Sequence, residues 1–294
     1  MTLRHLRVFV TVAETGKMRS AARELFIAQS AVSQTILELE RYYDVKLFDR
    51  LANRLYITPA GRELLDYAKH ILTLYDEMEL HMHSSAEKSE IRVGTTFMVG
   101  TCIIATLLEE YRKRWPQVVV KVYIGNVNTL GERLRASQLD FLLMEGTIPD
   151  NNFIAEEVLD DPMVVVCSPE HPFASRKSVT LEEISKMPYI GREKSNRVEF
   201  FDEIMTQHNL PLNFHWISNN SETTKMAVMR NFGITAISRR IVAAEINAGL
   251  MHEVQIEDQP LMRKVRLVYH KNKFITAPMQ DIFALCRRLE EILP

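Results

Sequence analysis

The stretch QSAVSQTILELERYYD, residues 29–44, constrains this chain more tightly than any other segment. Val32, Ile36, Leu39 and Tyr43 recur at spacings of 4, 3 and 4, which puts them on one core-facing side of a helix. The first turns of the opposite side carry Gln29, Ser30, Ser33, Gln34 and Thr35, neutral groups that donate and accept hydrogen bonds. Two helical patterns precede it. Leu3, Leu6, Phe9, Val10 and Ala13 mark an amphipathic first helix, with Thr2 as its cap and Gly16 as its stop. RSAARELF, with Ala21, Ala22, Leu25 and Phe26 on its inner side, marks a short second one. After the third helix, KLFDRLANRLYITPAG reads as two extended segments around a turn at Ala52-Asn53, flanked by Arg50 and Arg54. Three helices and a basic hairpin make a winged helix-turn-helix over residues 1–58. The polar start of the third helix suits base edges in the major groove, while Arg50 and Arg54 suit phosphates or the minor groove.

Charge distribution agrees with that reading. Residues 1–62 hold ten Lys/Arg against six Asp/Glu, a net +4, whereas the remainder holds 26 against 32, a net −6. A basic head on an acidic body is the asymmetry expected of a chain with one end on a polyanion. With 294 residues, 46% of them hydrophobic, there is material for two or three domains. The uncharged run from Phe97 to Leu108 is too short to span a bilayer, and no membrane partner is expected. The opening MTLRHLRVFVTVAET is interrupted by Glu14 and reads as a helix, not an export signal, so a cytoplasmic protein is expected. Cys102, Cys167 and Cys286 lie far apart, with neither disulfide nor zinc spacing, and are read as buried small hydrophobes.

From Pro59 the pattern changes. Leu64, Ala68, Ile71, Tyr75, Met78 and Met82 are spaced 4-3-4-3-4, a heptad seam on a helix that, with its polar tail, forms a connector over residues 59–88. A second copy of the chain is the expected partner for the seam, in preference to the chain's own head. Residues 89–294 then alternate strands and helices: IRVGTT, a helix over Cys102–Trp115, VVVKVYIGN, a helix over Thr129–Ser137, and DFLLMEG. This βαβαβ order implies a parallel sheet covered by helices. A second set follows, with PMVVVCSP, PYIG, a helix over Val198–His208, NFHWIS, a helix over Glu222–Asn231, and GITAIS, before a strand over Lys264–His270 and a helix over Pro278–Leu293. The expected result is α/β overall, in two lobes, 89–161 with 265–294 and 162–264. The chain would cross between them near Asp160–Pro162 and Gln259–Lys264.

Ligands of open α/β sheets sit beyond the carboxyl ends of the strands. Those ends supply Thr95, Thr96, Asn128, Thr129 and Glu145 in the first lobe, and Arg192, Ser195, Arg197, Asn220 and Ser221 in the second. Arg192 and Arg197 would suit an anionic small molecule. Adjacent acids such as Glu109-Glu110, Asp160-Asp161 and Glu290-Glu291 read as solvated. The chain carries no nucleophile elbow, His-Glu-x-x-His pair, Walker loop or dinucleotide fingerprint, so neither catalysis nor a cofactor is expected.

Residues 1–61 resemble the DNA-binding domain of LysR-type transcriptional regulators. The matching pieces are AAREL, QSAVSQTILELE, LFDR and LYITPAG. Two departures are Ala28, where the family usually has serine, and Ser30, where it usually has proline. The two-lobed body resembles the periplasmic-binding-protein-like effector domain of the same family, so the resemblance spans the chain. It implies double-stranded promoter DNA and a small-molecule effector as partners, possible contact with RNA polymerase, and pairing of subunits through the connector. The implied assembly is a dimer or a tetramer of two dimers on an interrupted inverted repeat. The alternative is a repressor or architectural DNA binder with no effector. A transport solute-binding protein would share the body but has no use for the winged head.

Overall fold

The structure, a computed structural model, describes every residue except 52–53, 84–89, 193–199, 258–260 and 294, together with the side chains of 50, 51, 54, 77 and 80–83. It forms two compact units, residues 1–90 with 132–140 and residues 91–131 with 141–294.

In the first unit, α1 (Leu3–Thr15) is capped by the Thr2 hydroxyl, which accepts from the His5 amide at 3.4 Å, and is ended by Gly16 at φ 65°. There follow α2 (Met18–Glu24), α3 (Gln29–Tyr43), β1 (Phe48–Leu51), β2 (Arg54–Ile57) and α4 (Pro59–His83). The strands form an antiparallel wing, Phe48 opposite Ile57 and Leu51 opposite Arg54; the expected turn at 52–53 lies outside the described residues. Leu6, Phe9, Val12, Ala21, Val32, Ile36, Leu39 and Leu47 fill the core. Tyr43, expected on the core face of α3, is exposed. It closes the helix, with Asp44 in the left-handed region at φ 52°, and its hydroxyl reaches the Met1 sulfur at 2.9 Å.

Two polar side chains and a glycine hold the wing to the helices. The Glu40 carboxylate accepts from the Leu47 and Phe48 amides at 2.9 and 3.4 Å and pairs with Lys46 at 3.1 Å. The Thr58 hydroxyl donates to the Lys46 carbonyl at 2.7 Å and accepts from the Gly61 amide at 3.0 Å, so it caps α4. A Cβ on Gly61 would stand 2.3 Å from the Leu47 carbonyl oxygen, a backbone atom with no freedom to retreat. These contacts are the physical content of the LYITPAG stretch.

The connector departs from the expected seam. Leu64, Leu65, Ala68 and Leu72 pack into the head's own core, and Lys69–Glu14 (2.8 Å) and Arg7–Asp76 ion pairs tie α4 to α1. Ile71 and Met78 of the expected seam are exposed, as is Tyr67. Met82 and residues 84–88 of the expected connector lie outside what is described.

The second unit continues from β3 (Glu90–Thr95) through α5 (Phe97–Cys102), α6 (Ile104–Arg114), β4 (Val119–Ile124), α7 (Val127–Arg135) and β5 (Phe141–Glu145) to β6 (Phe153–Cys167). Then come α8 (Leu181–Ser185), β7 (Pro188–Gly191), α9 (Phe200–Gln207), β8 (Asn213–Ile217), α10 (Ser221–Met229), β9 (Thr235–Ser238), α11 (Arg239–Asn247), β10 (His252–Val254), β11 (Leu261–His270), α12 (Ala277–Cys286) and α13 (Leu289–Ile292). The single helix expected over Cys102–Trp115 is two helices that break at Ile103, and the first begins at Phe97, directly after β3.

The sheet is mixed where a parallel one was expected. Its order is β10-β6-β11-β5-β3-β4, with β9 also on β6. β3 and β5 run parallel, but β6 and β11 are antiparallel along their length, from Phe153–His270 to Met163–Leu261. Residues 160–162 and 261–264 of the expected crossings therefore fall inside one long strand pair, and 259–260 lie outside the described residues. β7 and β8 run parallel, and amide bonds between Ile190 and Ile234 (2.9 Å) and between Ile234 and Pro188 (2.9 Å) join β7 to the chain entering β9.

The first half of β6, FIAEEVLDD, gives no strand signal alone because acids occupy so many of its positions. Its partner explains it: Arg266 pairs with Glu157 at 2.6 Å, and Lys264 pairs with Asp160 directly opposite. Glu156 accepts a fork from Arg287 at 2.8 and 3.0 Å and a bond from the Tyr269 hydroxyl at 2.8 Å. The Arg287 bond holds the Glu156 carboxyl below its ordinary range.

Two predictions follow from these contacts. Gly61→Ala should destabilise the head by about 1–3 kcal/mol through overpacking, seen as a lower thermal midpoint. Glu156→Gln should lower stability at pH 7. Because the folded carboxyl titrates below 4.5, its ordinary value, the deficit should be full above that pH and shrink as pH falls through the depressed value. Urea denaturation across pH 3–7 reads it.

Candidate nucleic-acid interface and ligand site

Ala28 stands at the N-cap of α3 and offers no side-chain bond, so the first amides of the helix are not sealed by it. Gln29, Ser30 and Gln34 are exposed at this end, and Ser33 and Thr35 are half-buried on its flank. The Gln34 amide donates to Glu38 at 3.0 Å, a bond it must leave to reach another acceptor. Arg50 and Arg54 fall on the two wing strands, opposite Leu55 and Leu51; their side chains lie outside the described residues.

In the second unit, two of the expected strand-end residues, Thr96 and Glu145, are linked to β6 and β11 by side-chain contacts. Thr95 and Thr96 are buried at the end of β3. The Thr95 carbonyl accepts from the Gly125 amide at 3.0 Å, which brings the end of β4 beside it. Thr96 precedes α5 but does not cap it; its hydroxyl donates to the Glu145 carboxylate. Glu145 lies 3.8 Å from Arg263, whose guanidinium reaches Asp161 at 2.6 and 2.7 Å. The Ser238 hydroxyl donates to the other Asp161 oxygen at 2.5 Å. Thr96, between β3 and α5, thus joins Glu145 on β5, Asp161 on β6, Arg263 on β11 and Ser238 on β9 in one largely buried polar network.

The Arg192 guanidinium of the second lobe lies 5.8 Å from the centre of the Phe97 ring at the start of α5. The Ser218 amide donates to the Gly191 carbonyl at 2.9 Å, so the end of β8 adjoins Arg192. Asn220 is the side-chain cap of α10, accepting from the Glu222 and Thr223 amides at 2.8 and 3.2 Å, and Ser221 is its first residue. Asn128 and Thr129 are half-buried in the first turn of α7, where the Thr129 amide donates to Asn126 at 3.0 Å. Ser195 and Arg197 lie outside the described residues.

Asp161 overturns the solvated reading of Asp160-Asp161: it is fully buried and doubly bonded. Asp161, Arg263 and Ser238 were missed as site residues. Asp161 and Arg263 stand 102 residues apart in the chain, and the β6–β11 register joins them. Cys167 and Cys286 are buried as expected, and burial pushes their thiols up to about 11 and about 12. Cys102 is only half-buried; its thiol is raised by burial first and then by the Asp161 charge.

Removing Arg263 would leave a buried carboxylate without its cation. Arg263→Met should destabilise the second unit by about 3–5 kcal/mol, and the double variant with Asp161→Leu should recover most of that loss. Urea midpoints of both variants measure it.

Comparison with known proteins bears on both sites. Residues 3–62 match the bacterial regulatory helix-turn-helix model of the lysR family, and residues 84–290 match the LysR substrate binding domain model. The chain is 30% identical over 287 residues to the uncharacterized HTH-type transcriptional regulator YeiE of Escherichia coli K12, covering 97% of each. It is 30% identical over 283 residues to the HTH-type transcriptional activator CmpR of Synechocystis, covering 95% of this chain and 92% of the other. Among solved structures, a full-length OxyR variant from Pseudomonas aeruginosa superposes with a TM-score of 0.70 at 18% identity, covering 100% of this chain and 95% of that one. HinK, a LysR family regulator from Pseudomonas aeruginosa, gives 0.62 at 23% identity over 98% of both chains. Family models at both ends and relatives aligned along nearly the whole length agree: this chain belongs to the LysR family of transcriptional regulators, with a helix-turn-helix domain followed by an effector-binding domain.

Proposed function

We propose that the start of α3 reads promoter DNA, with Gln29, Ser30, Ser33, Gln34 and Thr35 at base edges and Arg50 and Arg54 on phosphates. The observation that carries this is the exposed, uncharged, side-chain-uncapped beginning of α3. Neutral donors and acceptors discriminate bases, whereas arginines on a hairpin add affinity without sequence preference.

A small molecule is proposed to bind at the strand ends around Thr95, Thr96, Asn128, Thr129, Arg192, Asn220 and Ser221, with Ser195 and Arg197 nearby in sequence. The half-buried Arg192 guanidinium against Phe97 favours an anionic ligand. Glu145 serves as a positioning group, since Thr96 and Arg263 already engage its carboxylate. An effector shifts the lobes only to the extent that it binds one arrangement more tightly.

Self-association is proposed through the exposed face of α4 at Tyr67, Ile71 and Met78. Pairing there would present two heads to two half-sites, in a dimer or in a tetramer of two. The edge strands of the second unit offer further apolar surface, with Val119, Val122 and Ile124 on β4 and Trp216 and Ile217 on β8. RNA polymerase is the proposed downstream partner. The chain is proposed to act in the cytoplasm without enzymatic activity; no helix among the described residues is long and apolar enough to cross a membrane.

The test is selection of genomic fragments by the purified protein at a stated moderate salt. Recovery of a few promoters sharing a dyad is expected. Gln29→Ala should relax the preferred sequence, and Arg54→Ala should weaken every fragment alike. Recovery of nothing above background, with or without added metabolite extract, overturns the reading. Sedimentation of the double variant Ile71→Glu, Met78→Glu should show a smaller assembly than wild type.

A further inference from the structure

The turn between α2 and α3 holds a residue that the fold has no use for. Phe26 is 94% exposed, more than any other large apolar side chain among the described residues. Its neighbours Leu25 and Ile27 both pack on the core, so the turn points one residue inward, one outward and one inward. The backbone there is a helix-ending motif: the Phe26 amide donates to the Arg23 carbonyl at 3.3 Å and the Ile27 amide to the Ala22 carbonyl at 3.0 Å. In that motif the residue at Phe26 takes a left-handed conformation, here φ 54°, and the position favours glycine or asparagine. A bulky ring is strained there. The sequence thus accepts two unfavourable features at one position, backbone strain and a phenyl ring fully in water. Neither contributes to the core. Strain of this kind gathers where a side chain is presented for use.

The location says for what. Phe26 lies three residues before Gln29, the first residue of α3, in the segment that leads into the helix start. In helix-turn-helix proteins that helix start is the part lowered onto base edges. A phenyl ring has no donor or acceptor, and the one apolar group that the major groove offers is the C5-methyl of thymine. We propose that Phe26 is a base-reading residue, whose ring packs on a thymine methyl beside the bases read by Gln29 and Ser30. The proposal rests on the reading of α3 as the recognition helix. It adds a shape contact to a set otherwise made of hydrogen-bonding side chains.

The experiment uses the full-length protein and an operator recovered by the selection above. Each thymine is replaced singly by deoxyuridine, which removes only the methyl. Wild type should lose about fourfold affinity at one symmetry-related position per half-site, the loss expected for one buried methyl. Phe26→Gly should bind the thymine and deoxyuridine operators alike, while its thermal midpoint rises because glycine accepts the left-handed backbone. Phe26→Asn, which also tolerates that backbone, should behave like the glycine variant, and Phe26→Leu should retain part of the discrimination. If Phe26→Gly keeps the wild-type response to deoxyuridine, or if no thymine position is sensitive, Phe26 reads no base and the proposal falls. Unchanged operator binding with lost transcription in a purified system would instead assign the ring to a protein partner and overturn the proposal equally. Gln29→Ala separates the two levels. A Gln29→Ala protein with unaltered sequence preference defeats the recognition-helix reading itself, whereas an altered preference beside an inert Phe26 defeats the present inference alone.

Discussion

Asp161 sits fully buried in the middle of β6, and the second unit is arranged so that this carboxylate never stands alone. Arg263 faces it from the register-paired position of β11, and Ser238 bonds its other oxygen. Arg263 also reaches Glu145, which in turn receives the Thr96 hydroxyl. A buried ion pair of this kind adds little net stability over an apolar replacement, because desolvation offsets the attraction. What it does enforce is register. A slip of one residue between β6 and β11 would turn every side chain to the other face and leave Asp161 in the interior without its cation. The flanking Asp160–Lys264 and Glu157–Arg266 pairs repeat that instruction along the strand. In place of the alternation of apolar residues that usually sets a register, charge sets this one.

The proposed ligand site would depend on that register. Glu145 at the end of β5 meets Arg263 on β11, and Ser238 at the end of β9 meets Asp161 on β6. Thr96 is held by Glu145 instead of capping α5, which leaves the first amides of α5 without that side-chain acceptor. Phe97, one residue on, carries the Arg192 guanidinium from the second lobe. A cation resting on a ring loses less on being drawn to an anion than one already in a salt bridge, since the ring contact is worth only about 0.5–2 kcal/mol. On the proposed reading such a cation is a movable part, whereas Arg263, engaged with both Asp161 and Glu145, is a fixed one.

The head was legible in the sequence almost residue by residue, because its information is local. Helical spacing gave α1, α2 and α3, and the polar beginning of α3 marked its exposed end. What was lost there were helix ends: Tyr43 closes α3 and Phe26 follows the end of α2, and both are exposed. The connector showed the limit of periodicity in another form. Leu64 and Ala68 satisfy a heptad seam and also a head's own core, and only packing distinguishes the two. In the body, many elements were legible as types, but the first half of β6, α8, α11 and β10 were not, and neither was the pairing of the strands. FIAEEVLDD is a strand because RKVR lies opposite it, a fact held about a hundred residues away. Asp161, Arg263 and Ser238 were invisible as site residues for the same reason. Each is an ordinary polar residue until the sheet brings it to the others.

The head's chemistry also bears on why it would act in pairs. With a net charge of +4 and neutral readers at the start of α3, one head gains modest electrostatic affinity and only a few discriminating contacts. Two heads joined through their connectors make the second binding event intramolecular, and that gain vanishes if their separation does not match the half-sites. On the proposed reading, the regulatory signal therefore need not alter any base contact. A change in spacing suffices, and its free energy need be only the 1–3 kcal/mol typical of coupling between sites. A recognition helix that bound tightly alone would be insensitive to such a signal. Weak single heads, read mainly by Gln, Ser and Thr side chains, are what make control by geometry possible.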